Sequence, residues 1–211
     1  MITIIDLGIS NIKSITRGFV TQGFEVEITD SPRVVTGARS LVLPGVGAFP
    51  KAMKTLEEKG LRGPVHAHGK SGKPLLGVCL GMQLLFTDSA EHVLTKGLEL
   101  IRGHVVRFPS DRQVPHMGWN EVYLNTKSTL FSGLQQKADF YFVHSYYAQP
   151  EDPEDEIGSS DHFGKFTAAV QRGNIFGTQF HPEKSQRRGL HILKNFALLT
   201  ETVRRENSYH A

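Results

Sequence analysis

In the first ninety residues, short aliphatic or β-branched runs alternate with stretches that carry apolar residues at helical spacing. No other feature of the chain restricts its fold as much. Residues 2 to 5 read ITII, and Ile12, Ile15 and Phe19 then recur at helical spacing up to Gly23, which predicts strand, loop and helix. "FEVEIT" (24–29) alternates like a strand, and "SLVL" (40–43) is a short buried strand that ends in "PGVG". An amphipathic helix is expected over 48–59, a strand at "PLLGV" and another helix at "LGMQLLF" (80–86). Such alternation predicts βα units on a mainly parallel sheet flanked by helices.

From about residue 98 the pattern changes. Strand-like runs dominate ("LELIRGHVVRF", "WNEVYL", "DFYFVHSYY", "KFTAAVQ", "NIFGTQF"), and Arg172-Gly173-Asn174 reads as a tight hairpin turn between the last two. The second half should therefore extend the sheet with antiparallel strands. A closing helix is expected over 191–203, where Ile192, Leu193, Phe196, Leu199 and Val203 repeat. The acidic, proline-containing "QPEDPEDEIGSSD" (149–161) reads as an exposed loop, and "RRENSYHA" (204–211) as a frayed tail behind a single domain spanning 1–203.

Composition narrows the function classes. With 211 residues, 39% hydrophobic and 21% charged, the chain carries enough apolar surface for one packed core. The net charge of +3 is spread along the chain with no aromatic-interleaved basic stretch, which argues against nucleic-acid binding. A single cysteine allows no intrachain disulfide. There is no C-x-x-C or H-E-x-x-H spacing, and His66 and His68 read as surface residues, so neither metal nor cofactor is expected. "HGKS" (68–71) is no phosphate loop, because the required glycine position holds Pro64. "MITIIDLG" carries no basic leader, and the most apolar window falls short of the roughly 18 residues that span a bilayer, so a reducing, cytoplasmic setting is expected.

The sole cysteine, Cys79, sits in "GVCLG", where a buried-type strand meets a helical pattern. Read alone, it is equally a buried structural cysteine. The G-x-C-x-G spacing also matches a nucleophile elbow, a sharp turn whose flanking Gly77 and Gly81 let backbone and substrate come close. In that reading the Leu80 N–H points to where an oxyanion forms. A partner is available in "TQFHPEKS": His181 ends a strand, and Glu183, two residues on, reaches its ring if the segment is extended. A carboxylate on one imidazole nitrogen leaves the other to take a thiol proton and return it to a leaving amine. "LPGVGAF" (43–49) ends a further strand, and its glycines around Val46 can turn backbone N–H groups toward an anion.

Taken together, "GVCLGMQLL" followed by "FHPEKS" resembles the class I glutamine amidotransferase family. Within it, "LPGVGAF", "VPHMGWNEV" and "YFVHSYY" are similar to the glutaminase subunits of imidazole glycerol phosphate synthases. The resemblance runs over about residues 2 to 200. It implies a flavodoxin-like α/β fold, a triad of Cys79, His181 and Glu183, and backbone oxyanion donors at Val46, Gly47 and Leu80. It implies that Gly47, Gln83, Ser145 and Tyr146 hold glutamine, and that no cofactor is needed. It also implies a separate cyclase subunit as partner in a heterodimer, docked at Asn11, Trp119, Tyr141 and Lys184. From the residues alone, Trp119 and the aromatics of "YFVHSYY" are equally core, and Gln83 and Lys184 equally plain surface. "DLGISN" departs from the family pattern D-Y-G-x-G-N at Leu7 and Ser10, which bears on docking; Ser10 is equally a helix N-cap.

Overall fold

The computed structural model describes residues 1–8, 11–109 and 114–208. The βα alternation is realised as β1 (Ile2–Ile5), α1 (Ile12–Val20), β2 (Val26–Thr29), α2 (Pro32–Gly37), β3 (Leu41–Gly45), α3 (Phe49–Glu58), α4 (Arg62–Lys70), β4 (Leu75–Cys79) and α5 (Leu80–Gln83). Then come β5 (Asp88–Ser89), β6 (Thr95–Lys96), β7 (Gly103–Arg107), β8 (His116–Leu124), β9 (Lys137–His144), β10 (Tyr146–Pro150), β11 (Glu156–Asp161), β12 (Lys165–Arg172), β13 (Ile175–Thr178) and α6 (Gln186–Ser208).

A nine-stranded sheet has the order β2-β1-β3-β4-β13-β12-β11-β8-β9. Its first half, through β13, pairs in parallel. From β13 onward every pairing is antiparallel, beginning with the β12–β13 hairpin that turns at Gly173 and Asn174. The parallel half is buried on both faces, and adjacent residues of one strand enter different cores. Val42 packs with Phe19, Phe176 and Phe196 beneath α1 and α6, while Leu41 and Leu43 pack with Phe49, Leu56 and Val65 beneath α3 and α4. Each fully buried Leu or Phe contributes about 1.5–3 kcal/mol, so both layers are needed to hold the central strands.

A second sheet, β10-β7-β5-β6, was not foreseen. It takes only 103–107 from the strand expected over 98–108, and it splits the strand expected over 139–147: β9 stays in the main sheet, β10 joins the small one, and Ser145 is the joint. The acidic stretch 149–161 is no exposed loop. It supplies the end of β10, a 3-10 turn at Pro153–Asp155 and the interior strand β11. Asp155 is buried there because Arg172 Nε donates to both its carboxylate oxygens at 3.1 Å, so the charge is compensated.

Helices α2 and α4 were likewise not anticipated, and α4 changes the reading of His68. His68 is buried, its Nε2 bonded to the Pro74 carbonyl at 3.0 Å, and burial holds its pKa below 6.5 against the raising effect of that bond. The helix expected over 80–86 closes after one turn, at Gln83. The last helix begins earlier than expected and runs through Ser208, so most of the segment read as a tail is helical. Leu7 is buried in the core; Ser10 lies outside the described residues. Among the described residues no helix is long and apolar enough to cross a membrane.

Candidate active site

The site follows from sheet register. β4 lies between β3 and β13, parallel to both, with Gly45 opposite Cys79 on one side and Thr178 opposite Val78 on the other. The carboxyl ends of three neighbouring parallel strands thus deliver the Val46–Gly47 loop, Cys79 and the segment 179–183 to one edge of the sheet.

Cys79 holds φ 56 and ψ −113, a conformation that non-glycine residues seldom adopt and that marks a functional turn. Its flanking glycines answer to backbone. A Cβ on Gly81 would lie 1.7 Å from the Leu43 carbonyl oxygen, and one on Gly77 would lie 2.6 Å from the Gly81 carbonyl oxygen. The elbow is therefore locked by backbone packed on backbone, the close approach that these two glycines allow.

His181 and Glu183 meet as predicted, with Nδ1 2.8 Å from Oε1 and both side chains almost wholly buried. The intervening backbone differs from expectation: Pro182–Lys184 forms a 3-10 turn, which brings the carboxylate back under the ring. Burial alone would push the His181 pKa down. The neighbouring Cys79 sulfur and the Glu183 carboxylate outweigh it and raise the value from 6.5 to about 10. Nε2 makes no hydrogen bond of its own, so the bonded Glu183 carboxylate is the contact on which the upward direction rests. Nε2 is thus the nitrogen that exchanges a proton with the sulfur.

A cavity of about 300 Å³ opens over Cys79. Val46, Gly47, Leu80, Gln83, Ser145 and Tyr146, all singled out from the sequence, line it. Glu91, Pro115, Val143 and His144 line it too, and sequence reasoning missed them. Glu91 comes from the β5–β6 turn of the unforeseen second sheet, and one carboxylate oxygen accepts the Phe49 N–H at 2.6 Å. Gln83 is less free than expected, since its amide nitrogen donates to Tyr146 O at 3.0 Å and to Gln179 Oε1 at 2.9 Å. Only its oxygen remains for a ligand. On the other flank of the site, Asn11, Pro44 and Val46 border a narrow crevice with His181 and Glu183.

The remaining residues form a surface cluster. Trp119 and Tyr141 pair across β8 and β9, their rings 6.2 Å apart edge to face, and Lys184 Nζ stands 5.6 Å over the Tyr141 ring. Trp119 is 49% exposed and Met117 beside it 63%, which rules out the core reading for this tryptophan.

The model of the family described as glutamine amidotransferase class-I matches residues 3–199. The chain belongs to the class I glutamine amidotransferases. It is 48% identical to an imidazole glycerol phosphate synthase subunit HisH from Moorella thermoacetica, over 94% of each chain. A subunit of the same name from Syntrophotalea carbinolica is 49% identical, over 93% of this chain and 98% of that one. Among solved structures, PurLQS from Thermotoga maritima shares the fold at a TM-score of 0.73 and 15% identity, with 92% of this chain and 96% of that one covered.

This amidotransferase also carries a buried imidazole pair beside the cavity. Burial pushes His144 down to about 3, against the raising effect of its bond to Tyr146 O. Burial, aided by the charge His162 carries when protonated, pushes His116 down to about 4. Both rings stay neutral in the folded protein below pH 6.5, where the unfolded chain takes up protons. The contribution of this pair should therefore be full above 6.5 and fall as pH drops toward 4, by up to about 1.4 kcal/mol per pH unit for each ring. Thermal melts across that window test this, and a flat profile would mean that both rings charge without unfolding.

Proposed function

We propose that the chain is the glutaminase subunit of an imidazole glycerol phosphate synthase, acting in histidine biosynthesis in the cytoplasm beside a separate cyclase. The observation that carries the chemistry is the elbow thiol at φ 56 beside an imidazole whose Nδ1 is already held by Glu183. The subunit assignment draws on the HisH relatives and on the Trp119–Tyr141–Lys184 cluster.

Glutamine enters the cavity side chain first. Gln83 Oε1 and the free oxygen of Glu91 are acceptors suited to its α-ammonium, while Gly47, Ser145 and Tyr146 border the rest. Cys79 Sγ attacks the γ-amide carbon with its proton held on His181 Nε2, and the carbonyl π pair moves onto oxygen. The Leu80 N–H and the Val46–Gly47 loop are the donors for that oxyanion, and losing one such donor typically costs about 10²–10³ in rate. Collapse of the intermediate breaks the C–N bond, and the imidazolium proton goes to the departing nitrogen, giving ammonia and a glutamyl thioester. His181 then deprotonates a water that cleaves the thioester, which returns the thiol and releases glutamate.

Ammonia released into bulk water would mostly become ammonium, which cannot attack a carbonyl, so transfer to a docked cyclase gives the reaction its use. Ammonia release by the chain alone, and with a histidine-pathway cyclase plus its phosphoribulosyl aminoimidazole carboxamide nucleotide, is the test. A large increase with the cyclase is expected. Equal rates would favour a stand-alone glutamine hydrolase and return Asn11, Trp119, Tyr141 and Lys184 to purely structural roles.

A further inference from the structure

We propose that Gln179 is a positioning residue for the nucleophile: its side-chain N–H holds the Cys79 sulfur, and a chain of one-way hydrogen bonds anchored on the Tyr146 carbonyl fixes that orientation. The inference rests on Cys79 being the nucleophile.

Gln179 is fully buried, and its Nε2 lies 3.8 Å from Cys79 Sγ. An amide can be turned either way, so what orients it decides the argument. Tyr146 O accepts from His144 Nδ1 at 2.8 Å and from Gln83 Nε2 at 3.0 Å. A carbonyl oxygen can only accept. Gln83 must therefore present its nitrogen to Tyr146, and the second proton on that nitrogen reaches Gln179 Oε1 at 2.9 Å. With its oxygen committed to Gln83, Gln179 can show the sulfur only its N–H₂. Turning either amide would set two donors or two acceptors face to face where no water can intervene.

The same carbonyl fixes the histidines. His144 donates from Nδ1, so its Nε2 accepts from His116 Nδ1 at 2.9 Å. His116 Nε2 in turn accepts from Asn120 Nδ2 at 3.1 Å, and Asn120 is braced by Asp161 O at 2.7 Å and by the Glu121 N–H on its Oδ1 at 2.8 Å. Each link thus has a fixed direction: the histidine arm from β8 and the Gln83 arm both donate to Tyr146 O, and Gln83 donates onward through Gln179 to the nucleophile; Asn120 is the neighbour of Trp119 in the surface cluster.

At the sulfur this gives one partner for each protonation state. The thiol points toward Val143 O at 4.0 Å, which can only accept; once the proton has gone to His181, the anion keeps the Gln179 N–H as its donor. Gln179 thus favours the ionised sulfur and holds it above the cavity. Hydrogen bonds to charged atoms are the stronger kind, so the contact is worth more after proton transfer than before.

Because Cys79 is the only cysteine, alkylation and the S–H infrared band report on this sulfur alone. Gln179→Met keeps the volume and removes the N–H. Near neutral pH its rate of alkylation by iodoacetamide should fall about tenfold, the loss of one hydrogen bond to a charged atom, with a stronger S–H band; at high pH the rate should return to that of the parent. Equal alkylation and an unchanged band in a folded variant would overturn the proposal. Should the variant not fold, the unmodified protein decides: alkylation of Cys79 should displace the Gln179 side-chain amide signal in NMR, and an unmoved signal would refute the contact. The nucleophile assignment fails separately, by a Cys79→Ala protein that still releases ammonia.

Discussion

Cys79→Ala should lower ammonia release from glutamine by at least about 10⁴-fold, the scale on which a covalent nucleophile acts together with its base. The geometry explains why no neighbour substitutes. Among the described residues His181 Nε2 has no hydrogen-bond partner, and Gln83 and Gln179 present only amides. Water in the truncated site would meet a correctly oriented base with nothing to form a thioester. The fold should be unaffected, since alanine at 79 keeps the Cβ and the positive φ is imposed by packing around the elbow. The check has two arms, glutamine-dependent turnover of the cyclase and turnover supplied by free ammonium salts. Loss of the first with retention of the second isolates the defect to the sulfur. If more than a few per cent of the glutamine-dependent rate remained, Cys79 would return to the buried structural role that its context alone also allows.

What the sequence disclosed and what it hid divide along physical lines. The parallel half was legible because its strands are buried on both faces, so Ile2–Ile5 and Leu41–Leu43 read as β-branched or aliphatic runs that a loop would not carry. The elbow was legible because a turn this tight restricts which residues can flank it, and the His181–Glu183 contact because the two residues are close in the chain. The second sheet escaped notice since β5 and β6 are two residues each, with no period to detect. Glu91 entered the cavity from that sheet and so was invisible too. The segment 149–161 misled because its acidic residues signal solvent, whereas the buried positions that make β11 a strand are Ile157, Gly158 and Ser160, two of them not apolar side chains. His116, His144 and Gln179 lay inside motifs already noticed, "VPHMGWN", "YFVHSYY" and "TQFHPEKS". No spacing rule links residues brought together across different strands, so their hydrogen-bond chain required coordinates.

Gly81→Ala should be the most damaging of the conservative substitutions, and it should act on the fold before it acts on chemistry. The added Cβ would stand 1.7 Å from the Leu43 carbonyl oxygen and 2.8 Å from its carbon. No side-chain rotation relieves that contact, because the obstacle is backbone in β3, a strand paired to β1 on one side and β4 on the other. Either β3 shifts and strains its ladders, or α5 lifts and releases Cys79 from its turn. Overpacking against rigid backbone costs about 3 kcal/mol or more, against a typical total stability of about 5–15 kcal/mol. For a chain of this length that corresponds to a melting point lowered by about 10 °C, or to loss of soluble protein. Gly47→Ala makes the informative contrast. Its φ of +99 disfavours any side chain, yet nothing lies within 4 Å of the new Cβ. It should melt close to the parent and lose glutaminase activity, because the penalty falls on the loop that must present N–H groups to the oxyanion. Thermal melts of both variants beside their ammonia release separate the two effects. A Gly81→Ala protein that melts within a degree or two of the parent would mean that β3 and α5 part easily. The strained conformation of Cys79 could then not be maintained by the packing described, and its cause would have to be sought in the cavity.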